Sequence, residues 1–317
     1  MTTGRPLCCV LIPFCTVGET LRQCMALLTA CPLDVRICMV VDGQGCGDAS
    51  LEPFSSDPRV VVLRSDRRRG PGAARNIGVR WCRTQGIDLV VLLDSDCMPE
   101  PGFIEDHVKL HEKFSHTACI GCGIRGTGKG AWAAIDGMAS WFTSIPELPS
   151  RNVGSIYHIP TTNMSFKLNK LAMDGDLFDE KLRTGEDIMF LKHLRKSGIH
   201  MLYEPRPVVR HHDRERFTDM ITHQFRWALH TYSVRSGNTG TLSSRLFLAL
   251  VQVPLVPFTA FAMASLNLWP WIRVSWKTIW FFPALFLLYL VKSAGIITGT
   301  VAPGLALRRM EEAGGEP

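Results

Sequence analysis

From Leu246 to Ile272 the chain runs 27 residues without a charged side chain. About 20 apolar residues are enough for a helix to cross a bilayer, so the run allows two fates. It is either a membrane helix or a helix buried inside a soluble domain. Pro254, Pro257 and Pro270 interrupt it, and a membrane helix tolerates such kinks. A short link from Arg273 to Lys277 follows, then Thr278 to Leu307 with Lys292 as its one charge. The candidate spans are 246–272 and 278–301. Together they make a membrane hairpin, or one span plus a re-entrant or interfacial segment. Arg235 and Arg245 precede them, Arg273 and Lys277 lie between, and Arg308 and Arg309 follow, so the positive charges set no orientation.

The chain before this region has a different texture. Of 317 residues 46% are hydrophobic, which is ample for a globular core and argues against disorder. Lys plus Arg is 35 and Asp plus Glu is 29, a net charge of +6. That excess suits an anionic ligand or membrane surface and does not by itself indicate nucleic acid. Arg64, Arg67, Arg68 and Arg69 cluster, but no aromatic lies among them to stack on bases, so no nucleic-acid partner is expected. All 11 cysteines fall between Cys8 and Cys122, several inside apolar runs, which fits buried free thiols in a reducing compartment. The opening MTTGRPLCCV lacks the features of a signal peptide. Cys119-Ile-Gly-Cys122 is a lone CxxC and reads as core beside a turn.

Periodicity predicts a strand at Leu7–Pro13, a helix at Glu19–Ala30, strands at Val35–Val41 and Val60–Leu63, a helix at Pro71–Arg83 and a strand at Asp88–Leu93. Continuous apolar strands alternating with helices predict a mostly parallel sheet covered on both faces. Ligands of such sheets bind beyond the carboxyl ends of the strands, where Pro13, Asp42 and Asp94 fall.

Four motifs carry chemistry. Asp94-Ser95-Asp96 follows an apolar strand, and paired carboxylates there either form a solvated turn or hold Mg²⁺ or Mn²⁺. Gly70 to Gly78 (GPGAARNIG) opens a helix with small residues, suited to close packing or to an anion, and Arg75 has the fork for a phosphate. Gly185-Glu186-Asp187 starts a helix, as a cap or as a general base. Val208 to His212 (VVRHH) ends a strand with a histidine that is structural or a metal ligand.

In this order the segments resemble family 2 glycosyltransferases of the GT-A fold, in their membrane-attached bacterial form, over about residues 6 to 230. The resemblance is carried by LCCVLIPFCTVGETL, VVDGQGCGD, GPGAARNIGV, LLDSDCMPEPGFI, TTNMSFKLNKL, FDEKLRTGEDIMFLKHLRKSG and YEPRPVVRHH. It implies a Rossmann-like catalytic domain at 1–235 and a membrane-associated region at 236–317. It implies metal-dependent, inverting transfer of a sugar from a nucleotide sugar, with UDP favoured, to an acceptor hydroxyl on a lipid or membrane-linked glycan. Pro13, Glu19 and Asp42 would line the base and ribose pocket, and Arg75 would face the nucleotide or diphosphate. Asp94 would touch the nucleotide side and the metal, Asp96 would ligate the metal, and His211, or less readily His212, would complete it. Asn163 would lie near sugar or acceptor, Asp187 would be the catalytic base, and Glu186 would position the acceptor or sugar.

His223-Gln-Phe-Arg226-Trp227 resembles an element of processive members, with Arg226 near the diphosphate and Trp227 stacking on acceptor. It also suits an interfacial amphipathic helix. Two departures stand out: Cys15-Thr16 replaces Tyr-Asn, and Val41-Asp42-Gly43-Gln44 lacks one acidic residue. The chain lacks the many spans of polysaccharide-extruding synthases. Because bacterial nucleotide sugars are cytosolic, the catalytic domain is expected on the cytoplasmic face of the cell membrane. Alternatives of other classes are an inactive nucleotide-binding membrane scaffold and a nucleotidyltransferase. The scaffold would not need its acidic residues, and the nucleotidyltransferase would need a Gly-rich basic loop after the first strand.

Overall fold

The structure is a computed structural model and describes residues 8–44, 51–154, 158–171, 173–182, 184–231, 234 and 240–304. Arg235, Arg308, Arg309 and Cys46 lie outside the described residues. The packing divides the chain into two units, residues 1–125 with 143–211 and residues 126–142 with 212–317.

The first unit opens with the expected alternation. Strand β1 (Cys9–Phe14) leads to helix α1 (Glu19–Thr29), β2 (Arg36–Val41), the short α2 (Glu52–Ser55), β3 (Val60–Arg64), α3 (Pro71–Thr84) and β4 (Leu89–Leu93). β1 pairs in parallel with β2 and β4, and β2 with β3. All residues of β1 and β4 are buried, as their unbroken apolar runs require of strands covered on both faces. Helix α3 lies close on β1 because Gly78 leaves room there: a Cβ at that position would overlap the side chain of buried Leu11. The core gathers Leu11, Val40, Val79, Leu92, Phe166 and Phe190. Each such side chain contributes roughly 1.5–3 kcal/mol by leaving water.

Beyond β4 antiparallel pairing enters the sheet. There follow β5 (Cys97–Pro99), α4 (Phe103–Lys113), β6 (Cys119–Thr127), α5 (Gly130–Trp141), β7 (Arg151–Asn152), β8 (Asn163–Lys167), α6 (Glu186–Lys196) and β9 (Met201–His212). Strand order is β3-β2-β1-β4-β8-β6-β9-β5, with β7 beside β9. β8 runs antiparallel to β4 and β6, and β9 antiparallel to β5 and β7. The sheet is therefore mixed, parallel through its first four strands and antiparallel where β8 meets β4 and β6 and where β9 meets β5 and β7.

The second unit holds α5, α7 (Phe217–Leu229), α8 (Leu242–Val274) and α9 (Phe282–Val301). Ile135, Met138 and Ala139 of α5 and Met220 of α7 share one core with Ala260, Ala264 and Leu268 of α8 and Leu285, Leu288 and Tyr289 of α9. Two segments, Leu242–Val274 and Trp276–Val301, are long and apolar enough to cross a membrane, with mean hydropathy 2.0 and 1.8. The three prolines lie within α8.

Candidate active site

β4 ends at Leu93, which sits opposite Asn163, the first residue of β8. This register sets the residues after β4 beside those before β8. Thr162 Oγ1 donates to Asp94 Oδ2 at 2.8 Å. From α3, Arg75 Nη2 donates to Asp94 Oδ1 and Nη1 to Glu186 Oε1, both at 2.7 Å. The guanidinium side chain is 3% exposed, that of Asp94 27% and that of Glu186 7%. Arg75 thus joins the strand-end acidic motif to the start of α6, with Phe178 under its guanidinium at 5.7 Å.

Gly185 turns the chain into α6 with φ of +79°, a conformation that suits glycine. Gly72 of α3 lets Glu186 approach closely: a Cβ there would meet Glu186 Cγ at 3.2 Å. Burial, and then the charge of Asp187, push the Glu186 carboxyl up to about 7, against the pull of Arg75. Asp187 goes the other way. Burial pushes it up, but His158 and Arg75 outweigh that and hold it below the usual carboxylate value. Its Oδ2 lies 2.9 Å from His158 Nε2, and its side chain is 19% exposed. Two adjacent carboxyl groups therefore differ in character, one readily protonated and one ionised.

On the other side of the motif, Asp96 is the open carboxylate, 57% exposed, with Oδ2 at 3.3 Å from His211 Nε2. The β5–β9 register, which pairs Cys97 with His211, brings these two together. His212 falls in the second unit and is exposed.

Other expected residues occupy different settings. Asn163 is fully buried: its Oδ1 lies 3.1 Å from His107 Nε2, and its Nδ2 donates to the carbonyls of Gly123 and Pro207. It ties β8 to β6 and β9. Behind it, Ser165 Oγ lies 3.0 Å from His107 Nδ1 and 2.9 Å from His111 Nε2. Burial drives these imidazoles down to about 3 and about 4, so both are neutral at pH 7. Asp42, at the end of β2, accepts from the backbone N–H groups of Arg69 and Gly70 at 2.7 Å. It clamps the loop entering α3. Pro13 is buried opposite Val40, and Glu19 is exposed at the start of α1, bonded to Gln23 Nε2. Arg226 and Trp227 are on α7 in the second unit, both exposed, with the Trp227 ring 4.4 Å from that of His223.

Thr162 and His158 were not singled out in the sequence. Each touches a carboxylate 68 or 29 positions away in the chain, and the β4–β8 register brings Thr162 to its partner.

The model of the family described as "Glycosyl transferase family 2" matches residues 9–172, just over half the chain. The chain belongs to glycosyl transferase family 2. The matched span covers β1 through β8 and so includes Arg75, Asp94, Asp96 and Thr162. Among curated relatives, the Pre-mycofactocin glycosyltransferase of Mycobacterium tuberculosis is 28% identical over 218 residues, 67% of this chain and 44% of that protein. The Succinoglycan biosynthesis protein ExoO of Rhizobium meliloti is 26% identical over 192 residues, 57% of this chain and 53% of that protein. The chain thus spans about half the length of these relatives. Among solved structures, S. aureus TarS 1–349 in complex with UDP-GlcNAc superposes with a TM-score of 0.52 at 13% identity, covering 94% of this chain and 91% of that one. At that identity the likeness is one of fold.

Proposed function

We propose that this chain transfers a sugar from a nucleotide sugar, with UDP favoured, to an acceptor hydroxyl on a lipid or membrane-linked glycan, inverting the anomeric centre. The observation that carries this reading is the buried chain of contacts from Thr162 through Asp94 and Arg75 to Glu186, beside Asp187. It locks the strand-end motif and the helix-start carboxylates into one arrangement, as positioning for a displacement demands. Family membership and the UDP-GlcNAc complex of TarS support the donor class.

Asp187 is the acceptor's base. Being ionised at neutral pH, it takes the hydroxyl proton as that oxygen bonds to the anomeric carbon and the nucleoside diphosphate departs. Arg75 holds the two carboxylates in place with two of its five donors, and in this proposal it faces the nucleotide or diphosphate. Asn163, tied to β6 and β9, stands in this proposal as the residue near sugar or acceptor. The base and ribose contacts assigned to Pro13, Glu19 and Asp42, and the part given to Arg226 and Trp227, stand as part of this proposal.

Residues fit for a divalent cation are present. Asp96 and His211 offer an oxygen and a nitrogen donor 3.3 Å apart. Among the described residues no three His, Cys, Asp or Glu side chains gather as a closed cage. Two protein donors suit Mg²⁺ or Mn²⁺, which take further ligands from phosphates and water. Asp94 stands in this proposal on the nucleotide side and as a further ligand: Arg75 and Thr162 each bond one of its oxygens, and each oxygen keeps a lone pair. When bound, the cation neutralises charge on the leaving diphosphate.

The test is thermal stability with UDP-, GDP- and dTDP-sugars in Mn²⁺, Mg²⁺ or EDTA. A donor at ~100 times its Kd should stabilise the protein by ~2.7 kcal/mol, only with metal, and Asp96→Ala should lose the shift. No shift with any donor under any metal condition would refute the transferase reading.

A further inference from the structure

We propose that α8 and α9 hold this chain to the face of a bilayer, lying along it, and do not carry the chain across. The inference deepens the membrane part of the proposed function.

Composition alone allows crossing, so the packing of α9 is what matters. Helix α7 runs beside α9 in the same direction. Lys292 Nζ donates to Gln224 Oε1 at 2.9 Å. One turn on, a Cβ at Gly295 would meet the Phe225 carbonyl oxygen at 2.8 Å and Ala228 Cβ at 2.9 Å. One further turn on, Gly299 abuts the backbone of Leu229. At the other end Asn267 Nδ2 lies 3.5 Å from the Ala139 carbonyl, and Trp271 Nε1 donates to the Met138 carbonyl at 3.3 Å. α9 is thus flanked by α5 and α7 along its length, and α8 by α5 from Ala260 to Trp271.

Those flanking helices carry charge: α5 buries Asp136, and α7 is amphipathic. α7 exposes Asp219 and Arg226. Gln224 Nε2 donates to buried Asp136 Oδ1 at 2.9 Å, and Arg214 Nη1 to Asp136 Oδ2 at 3.1 Å. If α9 crossed the hydrocarbon, α7 would go with it and set exposed Asp219 and Arg226 against lipid. Lys292, the one charge of the second apolar segment, has its partner inside the protein.

The opposite side is built for lipid. α8 exposes Phe247, Leu250, Phe258, Phe261, Leu266 and Trp269. The turn after it adds exposed Trp276 and Trp280, with Arg273 and Lys277 between the helices. Tryptophan beside Lys and Arg marks the headgroup level of a bilayer. An apolar face rimmed this way is a membrane-interaction surface of the monotopic kind.

The full chain would be expressed in bacteria and sealed membrane vesicles prepared. Lys277→Cys in the turn and Lys113→Cys in the catalytic part would be treated with a membrane-impermeant maleimide, with the parent chain's labelling subtracted. The expected result is a membrane-bound protein whose two cysteines react from the same side, to within about twofold. Reaction of Lys277→Cys only after the reagent is loaded into the lumen by freeze–thaw would overturn the proposal in favour of a spanning hairpin. Recovery from the soluble fraction as a dimer would also overturn it, making the apolar face a contact between copies. The donor-induced thermal shift, measured on the same protein, reports separately on the transferase reading.

Discussion

Arg75 holds two carboxylates at 2.7 Å from a position almost sealed from water. Removing it leaves Asp94 and Glu186 without their counter-charge, and breaking such a buried pair costs about 3–5 kcal/mol. Arg75→Ala should therefore show a loss of that size in urea unfolding, whether or not donor is present. Glu186 makes a second, pH-linked prediction. Its carboxyl is raised from 4.5 to about 7 in the folded chain, so between those values the folded state binds more protons than the unfolded. Its contribution to stability is complete below about 4.5 and is lost as pH rises through about 7. Glu186→Gln cannot titrate and should flatten the fall in melting temperature between pH 5 and 7. A slope equal to that of wild type would show that another group titrates there.

At the scale of elements, the parallel half was legible because its strands are unbroken apolar runs and its helices carry clear periodicity. The predicted Pro71–Arg83 helix is α3 (Pro71–Thr84), and Val60–Leu63 lies within β3. The antiparallel half was not legible. β5 has three residues and β7 two, too few for a pattern, and β6 carries glycine at alternate positions facing Ile159 and Pro205. The site divides the same way. The acidic motifs were visible because they sit at element ends, where side chains leave the sheet. The partners of those carboxylates depend on long-range register, which no local pattern records. Asp42, Arg75 and Asn163 stand out in the sequence for their chemistry, and the protein groups they bond across the fold do not. Gly78 offers the test at this scale. Gly78→Ala drives a methyl into Leu11, and overpacking of this kind costs about 1–3 kcal/mol, more than alanine's helix preference of ~1 kcal/mol returns at the upper end. Calorimetry should show a lower melting temperature, and Gly78→Ala with Leu11→Ala should cost less than the sum of the two single losses.

Across the whole molecule, the separation of a catalytic part from an apolar tail at residue 235 meets a packing fact. α5, from the middle of the chain, and α7 bury Ile135, Met138, Ala139 and Met220 against α8 and α9. A chain ending at residue 240 would expose these side chains and leave Asp136, Gln224 and Arg214 with a face open to water. It should bind hydrophobic dyes and aggregate, whereas the full chain in detergent should not. A truncated chain that stays monomeric and melts cooperatively would show that the tail is dispensable for the fold.

The proposed chemistry rests on Asp187, and its most direct test is donor binding and turnover measured together on Asp187→Asn. The amide keeps the size of the side chain and removes the base. The expected result is a donor Kd within about threefold of wild type and sugar transfer lower by about 10²–10⁴, the usual worth of a general base. Transfer within a few-fold of wild type, with binding intact, would contradict the assignment of Asp187 as the base.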